Sequence, residues 1–486
     1  MATADELLNK MDSAIGALQD AQATVVAGAA QLGNALHKTG NETVSGKKTF
    51  TVLPEIPTAA DSSKDGTAAS TLFVNNKDAK CVHLSGTESV LGQKNFTVSP
   101  TVPIPNADSD ASRQAAPVSY VRDKLRAEIE AASAGRNTVV RDTDGNPHIM
   151  VVVPRFNLQD IDAALGTGVH PAFIVNGVVK SELLIGKFLA SNDGGKVMTL
   201  PKRAPWCRIN FNAALAACRA LGTGFGLCSN AAYAARALWL WKEFGDHTYY
   251  GNTNWGRNHT KTHQTGTLQS ADYAPGDTGM DTSGPGAATL TGSGPVDWND
   301  DGTPYGISDL VGNVWEWTSG VRLNEGEIQI IPDNDAMLAS VDMGVDSSAW
   351  KAVLQDGSIV APGTANTLKI DAPKTGDGSN VSVGAPSLAT SIANKLTGSN
   401  SMNCAFNALA AKSGVSVPVI LKVLGLAPIG TTGVQGHFWA RNHGERLPFR
   451  GGYWNGGVNC GPFALYLYYV RSIANWGVGF RAAFLA

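Results

Sequence analysis

Charge is scarce in this chain. Only 16% of its 486 residues are charged, and 38 Lys and Arg stand against 41 Asp and Glu. There is no basic field to hold a phosphate backbone, so nucleic acid is not an expected partner. No apolar run reaches the roughly 20 residues of a membrane-spanning helix, so no membrane insertion is expected. The cysteines, at positions 81, 207, 218, 228, 404 and 460, form no CxxC pair and no Cys/His spacing of a zinc site. Cys207, Cys218 and Cys228 fall in or beside an apolar helix and read as small buried hydrophobes. Reduced thiols are expected, consistent with folding in a cytoplasm. The opening residues, MATADELLNK, lack the basic start and apolar stretch of a secretory signal.

Apolar residues make up 43% of the chain, as in a globular protein, and its length calls for two to four units. The 54 glycines imply many loops. Residues 5–36 read as one helix. Leu8, Met11, Ile15, Leu18, Gln22, Val25, Ala29, Leu32 and Leu36 alternate in steps of three and four, a heptad seam broken only by Gln22. Such a stripe suits a coiled-coil oligomerisation helix over 1–38; a lone helix docking on a domain would show it more loosely. A repeat follows, with Thr43–Val52 returning as Ser89–Val98 and Pro54–Pro57 as Pro100–Pro103. This is a tandem module, read as 39–84 and as 85–135 with a connector. Neither copy carries enough apolar residues for its own core.

From about Asn137 the character changes. Val151–Pro154 and Leu183–Phe188 read as strands, Phe211–Gly222 as a helix ended by Gly222, and Asn230 as the cap of a helix through Trp241. This mixture gives an α+β domain over 136–486. Near its end lie seven aromatics in 24 positions, Tyr453, Trp454, Phe463, Tyr466, Tyr468, Tyr469 and Trp476, against 7% for the whole chain. Around them are Gly, Asn and Ser, the composition of an antibody paratope. The run Phe463–Tyr468 has period two. If Phe463, Leu465 and Leu467 face the core, Tyr466 and Tyr468 stand together on the other face. The alternative is an ordinary aromatic core strand.

Three resemblances extend this reading. The pattern T-V-S-G-x-K-T-F, with P-x-x-P-T, D-S-S-x-D and A-A-S-T-x-F-V, resembles the shaft modules of bacteriophage tail fibres over residues 40–124. Such fibres are usually trimers with the receptor-binding part at the C-terminus. The signature L-x-G-N-V-W-E-W at Leu310–Trp317, R-G-G-x-W at Arg450–Trp454 and the closing G-F-R-A at Gly479–Ala482 resemble the C-type-lectin-like fold of the formylglycine-generating-enzyme type. That likeness covers about 145–486, with an insertion from about Val321 to Val434. The insertion includes an expected helix near Ala405–Lys412. The enzymes of that family use two cysteines after R-G-G. Here Gly456 takes the place of the first and Cys460 stands alone, so no enzyme and no metal cofactor is expected, with a formylglycine-generating-enzyme-like oxidoreductase as an alternative. The run Asp297–Asp300 looks like the W-N-D calcium and sugar ligands of true C-type lectins but precedes the signature. It reads as a hydrated turn, with a calcium-dependent lectin as an alternative.

The narrower match is to variable proteins diversified by retroelements, a family that includes the phage major tropism determinant. It rests on R-G-G-x-W-x-x-G-x-x-x-G-x-F-A-L-x-L-x-x-x-R-S and the closing G-x-G-F-R-A. The resemblance implies an unvarying frame: Arg450, Gly451, Gly452, Trp454, Gly461, Phe463, Ala464, Leu465, Leu467, Arg471, Ser472, Gly479, Phe480 and Arg481. It implies diversified, ligand-binding residues between them: Tyr453, Asn455, Gly456, Asn459, Tyr466, Tyr468, Tyr469, Ile473, Ala474, Asn475 and Trp476. Glu316 and Arg450 are expected to form a framework ion pair. Together the likenesses imply a homotrimeric receptor-binding protein of a phage or prophage tail fibre. It would be made in the bacterial host cytoplasm, sit on the virion beside other tail proteins and bind a host cell-surface receptor, protein or glycan.

Overall fold

The computed structural model describes residues 118–486, apart from 279, 281–283 and 377–380, together with 49–50 and 88–89. The expected coiled coil and most of both repeats lie outside the described residues. The chain divides into two units, Met1–Glu128 and Ile129–Ala486. In the first, Thr49–Phe50 and Glu88–Ser89 form a two-residue antiparallel pair.

The second unit is α+β, mostly sheet with few helices. Its first and last strands share one five-stranded antiparallel sheet, in the order Phe225–Leu227, Ala482–Phe484, Glu182–Gly186, Pro147–Pro154, Asn137–Arg141. Ile149, Met150, Val151 and Val153 are all buried, because a strand in the middle of a covered sheet presents both faces to core. The helix Phe211–Arg219 is capped by Asn210, whose Oδ1 accepts from Ala213 N at 2.9 Å, and buries Phe211, Ala214, Leu215 and Cys218. The next helix, Asn230–Phe244, is capped by Ser229 rather than by Asn230 as expected. The Asn230 amide is buried instead, donating to Leu424 O at 2.8 Å and accepting from Arg450. No helix among the described residues is long and apolar enough to cross a membrane.

A six-stranded sheet carries the C-terminal segment. Its order is Met402–Ala405, His437–Ala440, Gly461–Leu467, Phe449–Gly451, Trp315–Trp317, Val478–Phe480. The His437–Ala440 and Gly461–Leu467 strands run parallel, as do Trp315–Trp317 and Val478–Phe480.

The segment 321–434 builds an eight-stranded sheet of its own, completed by Glu445–Arg446. It is packed into the body of the unit: Leu323, Ile328, Leu388 and Leu421 share one core with Tyr233 and Leu238 of the Asn230–Phe244 helix. It also supplies the edge strand Met402–Ala405 beside His437–Ala440. The helix expected near Ala405–Lys412 is absent. That stretch is a strand end, a short 3-10 turn at Phe406–Ala408 and a two-residue strand, Ala410–Ala411. Phe406 anchors the turn in the core, and Ala410–Ala411 pairs with Ser387–Leu388. Here strand pairing overrides the helix propensity of an alanine-rich run.

Candidate functional site

The Leu310–Trp317 signature ties together the loops around the C-terminal segment. Gly312 has φ +79 and Asn313 φ +59, a tight turn that a Cβ on Gly312 would block against Asn252. Asn313 then holds three loops: its N donates to Asn252 O at 2.6 Å, its Oδ1 accepts from Thr289 N at 2.8 Å, and its O accepts from Trp454 N at 2.9 Å. Trp315 N donates to Gly477 O at 2.8 Å, and Trp317 Nε1 to Ile209 O at 3.0 Å. Every one of these bonds fixes a stretch that borders the aromatic segment.

The expected Glu316–Arg450 ion pair is not formed, although the two residues are directly opposite in register. Glu316 is taken by both arms of Arg481, each at 2.9 Å, and the other Arg481 donors satisfy the carbonyls of Gly186, Lys187 and Ser308. Arg450 instead donates to Asn230 Oδ1 at 3.0 and 2.6 Å and to the carbonyls of Leu424 and Gly425. Burial without a carboxylate partner lowers its pKa to about 10.

Within the C-terminal segment, burial follows the split between frame and intervening residues. All the frame residues are buried except Arg471 and Ser472, whereas none of the eleven intervening residues is. In the Gly461–Leu467 strand, Phe463, Leu465 and Leu467 enter the core. Tyr466 lies on the opposite face, its ring 5.1 Å from Trp439, 5.2 Å from Trp315, 6.0 Å from Phe449 and 5.6 Å from Tyr469. Burial pushes the Tyr453, Tyr466 and Tyr469 phenols up, so all stay neutral hydrogen-bonding groups.

Nine of the eleven line one open groove of about 670 Å³: Tyr453, Asn455, Gly456, Asn459, Tyr466, Tyr469, Ala474, Asn475 and Trp476. Tyr468 and Ile473 are not in its lining. Tyr468 stands 5.3 Å from Tyr466 but turns its ring to Arg441, whose guanidinium lies 3.4 Å over it. Ile473 packs against the core around Trp317 and Phe449. Gly456 contributes backbone, since a Cβ there would collide with Cys460 Sγ. Sequence reading missed Arg208, Trp315 and Trp439, which also line the groove. Trp315 belongs to the Leu310–Trp317 signature, which marks the fold, and Trp439 lies outside the aromatic-rich C-terminal segment. Arg208 has φ +57, and its guanidinium sits 5.3 Å over Trp476.

Arg471 clamps the rim. Its Nε and Nη2 bind both oxygens of Glu445 at 2.6 and 2.7 Å, while Nη1 reaches Asn212 and Nη2 the Met343 carbonyl. Beneath the groove, Cys460 is buried and its thiol is pushed up to about 12 by burial. All five described cysteines are free thiols.

The 297–301 run is not the hydrated turn expected of it. Asp300 and Asp301 are buried, and Arg236 grips Asp300 with two bonds, at 2.6 and 2.7 Å. Asp301 meets Arg136 and Arg236 and accepts from Thr303, and Asp297 binds Gln264 at 2.6 Å and Lys261 at 3.1 Å. A cation here would have to displace guanidinium groups. Among the described residues no group of three His, Cys, Asp or Glu is placed to hold a metal ion.

No protein-family model matches the chain, and no curated protein is similar to it. Among solved structures it is similar to Treponema denticola variable protein 1, at 12% identity and a TM-score of 0.28, with 72% of this chain and 99% of that one covered. So distant a superposition leaves the reading to this chain's own residues and geometry.

Proposed function

We propose that this chain is a receptor-binding protein of a phage or prophage tail fibre. Its C-terminal unit is a C-type-lectin-like variable domain that grips a host-surface ligand through the aromatic groove. One observation carries the reading: none of the eleven intervening residues is fully buried, and nine of them converge on a single groove. Half-buried Tyr and Trp give large contact area for little rotamer entropy, and Asn455, Asn459 and Asn475 add adaptable hydrogen bonds. Binding rather than thiol chemistry also fits Cys460, which burial keeps a protonated thiol at neutral pH and which forms no disulfide with another described cysteine. The diversification of the eleven positions, the N-terminal coil, the trimer and the virion location belong to this proposal and rest on the sequence resemblances. Three tips on one fibre would raise weak single-site binding by about 10²–10⁴ when geometry permits.

The test is adsorption of the labelled chain to a panel of bacterial strains. Replacing Tyr466, Tyr468 and Trp476 together with Ala should abolish binding to every strain the parent chain binds, with circular dichroism unchanged. Unchanged adsorption would remove the site.

A further inference from the structure

The groove shares a wall with a second concavity. Residues Gly457–Asn459 form a single 3-10 turn, about 6 Å long at roughly 2 Å per residue. Asn455, Gly456, Asn459 and Cys460 line the groove, whereas Val458 lines a separate open pocket of about 420 Å³. Val458 is 72% exposed, the highest value for any large hydrophobic among the described residues. The turn is tied down at both ends. Gly457 N donates to Thr253 O at 3.0 Å, and Cys460 O accepts from Gln435 Nε2 at 3.0 Å. Gln435, which lines the second pocket, is itself clasped by the backbone of Tyr249, at 2.8 and 3.1 Å. The turn is therefore a fixed ridge between the two concavities.

The second pocket draws its polar groups from outside the aromatic segment. Asp246 and His247 follow the Asn230–Phe244 helix, His259 comes from the next loop, and Asn407 from the 321–434 segment. Thr253 Oγ1 accepts from His259 N at 3.1 Å and from Asn258 Nδ2 at 3.5 Å, so its own proton goes to His259 Nδ1 at 2.8 Å. That tautomer leaves His259 Nε2 as an N–H donor with no partner among the described residues. Asn407 Nδ2 donates to Thr431 O at 3.0 Å, which leaves its Oδ1 as a free acceptor. The Asp246 carboxylate has neither a hydrogen bond nor an ion pair among the described residues. Burial lowers the pKa of His247 and of His259, so both rings are neutral at pH 7. Lys261, whose charge bears on His247, is held by Asp297 at 3.1 Å. His247 also joins the pocket to a row of rings, 5.8 Å from Phe244, 5.1 Å from Tyr249 and 6.3 Å from Tyr250. Phe244 is among the exposed large hydrophobics.

Exposed apolar groups beside an open polar pocket mark an interaction surface. This pocket offers donors and acceptors together, with one carboxylate and two neutral imidazoles, which suits hydroxyl groups better than an ion. The neighbouring rings and the Val458 methyls suit the apolar C–H face of a pyranose. We propose that the pocket is a second subsite of the binding face, taking a neutral sugar of a host-surface polysaccharide that crosses the Gly457–Asn459 ridge from the groove. Asp246, His259 and Asn407 bind its hydroxyls, and Val458 packs against the sugar at the crossing. The inference rests on the receptor-binding reading of the groove and names the class of ligand that the site takes.

The probe is surface polysaccharide released from a strain to which the parent chain adsorbs, partly hydrolysed and separated by length. Each fraction is titrated into the full chain by calorimetry. Affinity should rise about tenfold once a fragment is long enough to cross the ridge, the scale of one or two added hydrogen bonds. In Asp246→Asn with Asn407→Ala, the shortest fragments should bind as they do to the parent, and the rise should disappear. Val458→Asp, at a position with no core packing to lose, should remove the same rise and decides the matter if the double variant fails to fold. No rise with length, or a rise that survives both variants, overturns the inference. So does a strain that adsorbs the chain while its released polysaccharide does not bind, which points to a protein ligand and leaves the receptor-binding reading standing. A chain that adsorbs to no strain overturns both.

Discussion

Trp439 and Tyr466 stand opposite each other on neighbouring parallel strands, their ring centroids 5.1 Å apart. One comes from outside the C-terminal segment and the other from its centre. The groove floor is therefore shared between a ring of the His437–Ala440 strand and a ring of the Gly461–Leu467 strand. A double-mutant cycle with Trp439→Ala and Tyr466→Ala, read by urea unfolding, should give a coupling of about 0.5–1.5 kcal/mol. Trp439→Ala should also weaken adsorption as much as Tyr466→Ala does. Additive effects in the cycle would mean that the rings do not pack in solution.

Glu316 and Arg481 are both buried and bound by two parallel hydrogen bonds. Arg481→Met strands the carboxylate and three carbonyl groups at once, and should cost about 3–5 kcal/mol in chemical denaturation. Glu316→Gln removes one charge while leaving an acceptor, and should cost less. Equal losses would argue against the pairing described above.

Much of the C-terminal unit was legible in the sequence because local signals and tertiary demands agree there. The period of two from Phe463 to Leu467 and the apolar face of the helix starting at Phe211 both describe single elements and appear as read, although that helix ends at Arg219 with Ala220 as its cap, short of the expected stop at Gly222. What was hidden depends on which distant groups compete for a partner. Glu316 and Arg450 face each other in register, yet the fork of Arg481 outcompetes Arg450 for the carboxylate. The 297–301 turn looked hydrated because nothing nearby in sequence reveals that Arg236, on a helix some 60 residues earlier, reaches into it. The alanine-rich run at 405–412 has helix propensity, but the turn buries Phe406 and the strand behind it is claimed by a neighbour. For the site, alternation told core from surface, but only the fold could add Trp315, Trp439 and Arg208.

His170 should contribute to the loss of stability in acid. It is fully buried between Val423 O, at 2.9 Å from Nε2, and Ala172 N, and burial lowers its pKa from 6.5 to about 4. The fold holds the neutral ring, whereas the unfolded chain takes up a proton below about 6.5. The stability this group contributes is complete above 6.5 and is lost as pH falls toward 4, a total of roughly 3 kcal/mol. His148, also lowered by burial, acts in the same direction. Urea midpoints measured between pH 7 and pH 4 should fall, and should fall less in His170→Gln. An unchanged pH slope in that variant would assign the loss to other groups.

The most direct measurement is a display library in which the groove positions Tyr453, Asn455, Asn459, Tyr466, Tyr469, Ala474, Asn475 and Trp476 are randomised together, with Gly456 kept because of Cys460. Resistance to protease reports folding. Most members should stay folded, while a matched library at Phe463, Ala464, Leu465, Leu467 and Phe480 should lose folding almost entirely, since truncating a buried side chain costs about 2–5 kcal/mol. Equal collapse of both libraries would contradict the separation of a load of packing from a free gripping face.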